Sequence, residues 1–114
     1  MSDPGSHFEL GVELIRERSF FEAHEELELA WRAAPVEERD FYQGLVHVAV
    51  AWYQAGRGNR VGCERQLEKA ARRLGPYAPE HRSVDVTSLL RRVAEASRVV
   101  ESGSLELPPL ELPA

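Results

Sequence analysis

A single cysteine, Cys63, stands in 114 residues, so no disulfide within the chain can staple the fold. A reducing compartment is compatible with that usage. No apolar run approaches the ~20 residues that a membrane-crossing helix needs. The short polar start, Met1 to Ser6, has no apolar stretch of the secretory kind. Basic side chains are the minority, 14 against 19 acidic, and the net charge of −5 argues against a dedicated nucleic-acid binder. There is no glycine-rich phosphate loop, no Cys–His zinc spacing and no alternating strand pattern. These absences lead us to expect a cytoplasmic, all-helical chain with no membrane partner.

What is present suits one domain with a modest core. The composition is 43% hydrophobic and 29% charged, as in ordinary globular proteins. Charge is uneven. Residues 1–56 hold 11 acidic and 4 basic side chains, and residues 57–114 hold 8 and 10. The simplest meaning is that the two halves of a bundle attract each other, with a partner-binding meaning as the alternative.

The chain is organised around Ser19 to Trp31. Ser19 with Glu22 has capping-box spacing and predicts a helix start. Helical rotation places Phe20, Ala23, Leu27 and Trp31 on one face, with His24 and Glu28 one turn apart at its edge. A plain amphipathic helix avoids a His and a Glu there, so the pattern points to a polar site. Glu25 and Glu26 turn away from the apolar face, and Glu25 with Arg32 lies toward the edge of the site.

Around this helix the spacing predicts four more. Ser6 and Glu9 repeat the capping-box spacing ahead of a first helix over residues 7–18, with Phe8, Val12 and Ile15 at its core. The motif helix runs over 20–33. A third helix over 36–55, from Pro35, is apolar nearly all round and is expected to be the most buried, Val50 included. Its exceptions, Gln43, His47 and Gln54, share one stripe. Gly44 and Ala51 beside them are expected to admit the motif helix. Asn59 caps a fourth helix over 60–74, which Gly75 and Pro76 end. Residues 77–83 read as a loop. Asp85 caps a fifth helix to about Glu101, with Val84 and Leu89 as a staple and Gly103 beyond its end. Leu105 to Pro113 reads as an extended tail whose leucines can lie along the bundle. The expected architecture is a compact antiparallel bundle of about five helices: one domain over 1–104 and a tail over 105–114.

Phe21-Glu22-Ala23-His24-Glu25, followed by Leu27-Glu28 and Trp31, resembles the signature of a small bacterial and archaeal family, domain of unknown function 309. The likeness continues through Gln43-Gly44-Leu45-Val46 with Ala49, Arg57-Gly58-Asn59 and Leu67-Glu68-Lys69-Ala70. It covers roughly residues 8–75. The resemblance implies a helical bundle with no established activity, sometimes labelled a metal-dependent hydrolase on its His/Glu motif. His47 stands where that family often has Gln, and Tyr53 where it often has His, so one imidazole is added and another is missing.

Three readings of the site stay open. In the first, His24 and Glu28 are a buried structural pair closed by Gln43 or His47. In the second, His24, Glu28 and His47 ligate a divalent ion such as Zn or Mn, with His24 and Glu28 as candidate catalytic groups for hydrolysis. In the third, Glu25, Trp31, Gln43 and Tyr53 help bind a small molecule or peptide. Helical hairpins of the tetratricopeptide kind would make the chain an interaction module or a homo-oligomer, with a groove lined by the third helix as the mark. Nucleic-acid binding through the arginines of the fourth helix is the weakest option. Glu22 is read as a cap, Trp31 and Trp52 as core, and Cys63 as an unreactive core or boundary residue.

Overall fold

Five helices follow one another in a computed structural model that describes residues 4–110 and Leu112. They are α1 (Pro4–Arg16), α2 (Phe20–Ala33), α3 (Val36–Gly56), α4 (Arg60–Leu74) and α5 (Val86–Glu101). Each packs chiefly on the next, so α3 lies between α2 and α4, and α5 lies against α4. This is the expected all-α bundle, 43 × 26 × 23 Å along its axes. Among the described residues, no helix is long and apolar enough to cross a membrane. Met1 to Asp3, Glu111, Pro113 and Ala114, parts of the expected polar start and tail, lie outside the described residues.

The helix ends explain where the chain turns. After α1, Ser19 N donates to Leu14 O at 2.8 Å and Arg18 N to Ile15 O at 3.0 Å. The same pair of bonds recurs after α3, from Asn59 to Gln54 and from Gly58 to Ala55. It recurs after α5, from Ser104 to Val99 and from Gly103 to Val100. Each is a Schellman closure, which places one residue in the left-handed region and satisfies the last carbonyls. Glycine fills that place twice, at Gly58 (φ 76) and Gly103 (φ 97). After α1 it is Arg18, at φ 63.

The helix starts differ from expectation in two places. Ser6 lies inside α1, which begins at Pro4, so it cannot be the cap. Ser19 precedes α2 but makes no side-chain cap bond. The Ser19/Glu22 box is therefore not closed, and the Schellman turn just before it sets the entry of the chain instead. Two caps hold as read. Asn59 accepts from Gly62 N at 2.9 Å, and Asp85 accepts from Ser88 N at 2.9 Å.

The core is continuous from Val12 and Ile15 through Ala23, Leu27, Phe41, Leu45 and Val48 to Leu67, Leu89 and Val93. Two close helix approaches shape it. A Cβ on Gly11 would lie 2.7 Å from Leu27 Cγ, so α1 rides tightly on α2. A Cβ on Gly44 would lie 2.6 Å from Leu74 Cγ. The small stripe of α3 thus admits α4, not the motif helix as expected. Val50 is only half-buried, whereas Val48 and Ala49 beside it are fully buried.

Between α4 and α5 the expected loop contains a short 3-10 turn, Gly75–Tyr77, and a two-stranded ribbon. β1 (Glu80–His81) pairs antiparallel with β2 (Val84–Asp85). Arg82 (φ 48) and Ser83 (φ 64) take the two left-handed positions of its tight turn. Glu38 in the first turn of α3 accepts from His81 Nε2 at 2.7 Å and from Arg82 Nε, and so ties the ribbon to the bundle. The described part of the tail, residues 105–110 and Leu112, forms no helix or strand and packs on the bundle. Leu110 and Leu112 are buried, Trp52 Nε1 donates to Pro108 O at 3.0 Å, and the Arg16 guanidinium donates to Leu112 O.

Candidate functional site

His24 and Glu28 lie where the rotation of α2 places them. His24 Nδ1 donates to Phe21 O at 2.6 Å, which fixes the ring. Its Nε2 then faces Glu28 Oε1 across 3.8 Å, and the other Glu28 oxygen is 3.8 Å from Arg32 Nη2. The side chains keep 21% and 38% of their exposure. That is too open for the buried pair expected. A 3.8 Å contact between two half-buried side chains of one helix contributes little.

His47 turns to the other side of α3. Its Nδ1 donates to Gln66 Oε1 on α4 at 2.7 Å. Burial holds this imidazole below its ordinary pKa against the Gln66 bond, which raises it, and Lys69, Arg73 and Arg72 push it lower still. Among the described residues no three His, Cys, Asp or Glu side chains gather closely enough to hold a metal ion. The trio His24, Glu28 and His47 is therefore not brought together. Two donors on one half-buried helix face fall short of the three or four protein ligands of a zinc site. Gln43 is half-buried and enters no hydrogen bond with His24 or Glu28; Glu25 is exposed; Trp31 is half-buried against the core. Cys63 is buried, and burial followed by the Glu64 charge pushes its thiol up to about 11, so it is no nucleophile at neutral pH.

Tyr53 leads to a different place. It lies in a cleft of about 510 Å³ between the α1–α2 turn and the C-terminal end of α3. Phe21 comes from the motif helix and stays 44% exposed, because Ala23 and Leu27 take the core positions beside it. Its ring packs on Tyr53 at 5.5 Å and edge-on to His24 at 5.0 Å. The Arg57 guanidinium lies 5.6 Å over the Tyr53 ring, and its Nη1 donates to Tyr53 Oη at 3.0 Å. One hydrogen bond and one cation–π contact thus hold this cation at the rim. Arg18 lines the same cleft, with no side-chain partner among the described residues. Trp52 forms part of the floor, and Glu22, freed from capping, is the one acid. The lining therefore pairs an aromatic platform with two cations and one anion.

Sequence reasoning finds Tyr53, reads Glu22 as a cap, and misses Arg18, Phe21 and Arg57 as site residues. The available signal is Phe21, a large apolar side chain beside Phe20 that cannot share its buried face. Arg18 has a subtler one: no glycine follows the first helix.

The family model for a domain of unknown function, DUF309, matches residues 8–66, from α1 into α4, and so includes both walls of the cleft. The uncharacterized protein YpuF of Bacillus subtilis (strain 168) is 34% identical over 83 residues, covering 72% of this chain and 46% of YpuF. The chain thus spans about half the length of this relative. No solved structure matches.

Proposed function

The chain belongs to the DUF309 family, and from that premise and the geometry of the cleft we propose that it is a helical binding module. Its ligand is an acidic peptide segment bearing an aromatic side chain. The observation that carries this is the exposed Phe21 packed on the half-buried Tyr53, with Arg57 fixed over the tyrosine ring. Aromatic rings packed on one another at a cleft offer apolar area at low entropic cost, and the arginines supply charge-assisted donors. The cleft is lined by the end of α3, the mark set for an interaction module. Arg18 adds support: a left-handed arginine costs stability that glycine would spare, which is typical of residues kept for their side chain. His24 then acts by orienting Phe21, not by chemistry.

The same reading takes residues 1–104 as one domain and 105–114 as its tail, working in the cytoplasm, as the lone buried thiol supports. The test is an amide-resolved NMR titration of the full chain. The probes are acetylated tetrapeptides of Phe and Glu, and the same peptides with Lys for Glu. The Glu peptide should move amides of residues 18–22 and 53–57, and the Lys peptide should not. Equal shifts with both, or shifts centred elsewhere, contradict the proposal.

A further inference from the structure

We infer that the groove between α4 and α5 docks a basic amphipathic helix from a partner protein. This site lies apart from the aromatic cleft and does not depend on it. The groove encloses about 540 Å³. Leu67 and Val93 form its floor, the exposed Ala71 and Ala94 its walls, and Glu64, Glu68 and Glu101 its rim.

The sequence of α5 explains why the groove exists. Val86, Leu89, Val93, Ala96 and Val100 alternate three and four apart and are buried. One residue on, Leu90, Ala94, Ser97 and Glu101 repeat the spacing about 100° around the helix and stay partly open. On α4, Leu67 and Ala71 face this second stripe across the groove. Two parallel stripes, one covered and one not, make a seat for a third helix. Alanine on both walls lets its backbone come close. From Leu90 to Glu101 the seat is about 16 Å long, or three helical turns.

Charge decides the occupant. Glu64 and Glu68 sit one turn apart and repel. Glu64 has Arg60 at 3.1 Å, but Glu68 and Glu101 have no ion-pair partner among the described residues. The exposed Arg65, Lys69 and Arg72 of α4 do not line the groove. The half of the chain richer in basic residues thus presents an acidic rim along an apolar floor. A second copy docking groove to groove would oppose like charges. A helix with a Leu/Ala face flanked by Lys or Arg meets both floor and rim.

The probe is a labelled peptide of about 14 residues, Leu and Ala on one helical face and Lys elsewhere, with a twin carrying Glu for Lys. Fluorescence anisotropy with the full chain at low salt should show the Lys peptide binding at least about tenfold tighter than its twin. Glu68→Lys with Glu101→Lys should weaken binding about tenfold, and Ala94→Arg by at least as much. Glu9→Lys on α1 with Glu17→Lys in the turn after it makes the same change in net charge and should leave binding within about twofold. All these positions are exposed, so circular dichroism should show every variant folded. Groove variants that bind like wild type, or a control that weakens equally, overturn the inference. So does self-association in sedimentation that Ala94→Arg abolishes.

Discussion

Arg18 shows most sharply what one residue does here. Glycine occupies the left-handed position after α3 and α5, and arginine occupies it after α1. The left-handed penalty for a side-chain-bearing residue is about 1 kcal/mol. Arg18→Gly should therefore raise unfolding stability by up to about 1 kcal/mol in denaturant titrations while weakening acidic-peptide binding. A variant that gains stability and keeps full affinity would remove Arg18 from the site. Glycines make the converse point. Gly44→Ala gains about 1 kcal/mol of helix propensity but drives a methyl into Leu74, which is fully buried and cannot yield. We expect a net loss of about 1–2 kcal/mol. Gly56→Ala meets nothing within 4 Å and should be neutral or stabilising. The sequence shows that Gly44 is small but not which helix approaches it, because periodicity identifies a face and not its neighbour.

At the scale of elements, the helices are legible where a cap or a stop marks them. α4 begins after Asn59 and ends at Leu74 as read, because Asn59 caps and Gly75-Pro76 cannot continue. Asn59→Ala should cost about 1 kcal/mol, seen as a lower denaturation midpoint. α1 ends two residues early because no glycine signals the turn. The ribbon is invisible to period-2 reasoning, since each strand has two residues and its turn uses Arg82-Ser83 in place of Asn-Gly. Within α3 the core face is finer than its all-round apolarity suggests. Val48→Asp should cost about 3–5 kcal/mol, an unpaired charge in a closed core, and Val50→Asp on the half-buried side clearly less. Equal losses in chemical denaturation would mean that the face is misassigned. His24 and Glu28 are legible as neighbours because i and i+4 share a face. Their openness is not, because it depends on what the opposite helix leaves uncovered.

For the whole molecule, the expected attraction between acidic and basic halves takes a definite form. Asp40 pairs with Arg73 at 2.7 Å, and Glu38 holds His81 and Arg82. Burial pushes the Glu38 carboxyl up, but the Arg82 and His81 bonds and charges outweigh it and hold the group below its ordinary 4.5. The unfolded chain therefore takes up this proton first. The stabilisation is complete above pH 4.5 and is lost as pH falls through the lower folded value. Stability measured across that window should fall for wild type, and Glu38→Gln should start lower and show a flatter profile. The same assembly that fixes α3 from its N-terminal end leaves its C-terminal end free to form the cleft.

Binding through the cleft, as proposed, and binding through a His/Glu centre differ in which single substitution abolishes it. The most direct measurement is the dissociation constant of the acidic Phe/Glu peptide for wild type, Arg57→Ala and Glu28→Ala. We expect Arg57→Ala to weaken binding about fivefold or more, through lost charge and the lost cation–π contact, while Glu28→Ala stays within about twofold. Loss of binding in Glu28→Ala with retention in Arg57→Ala would place the ligand at the His/Glu pair and not in the cleft.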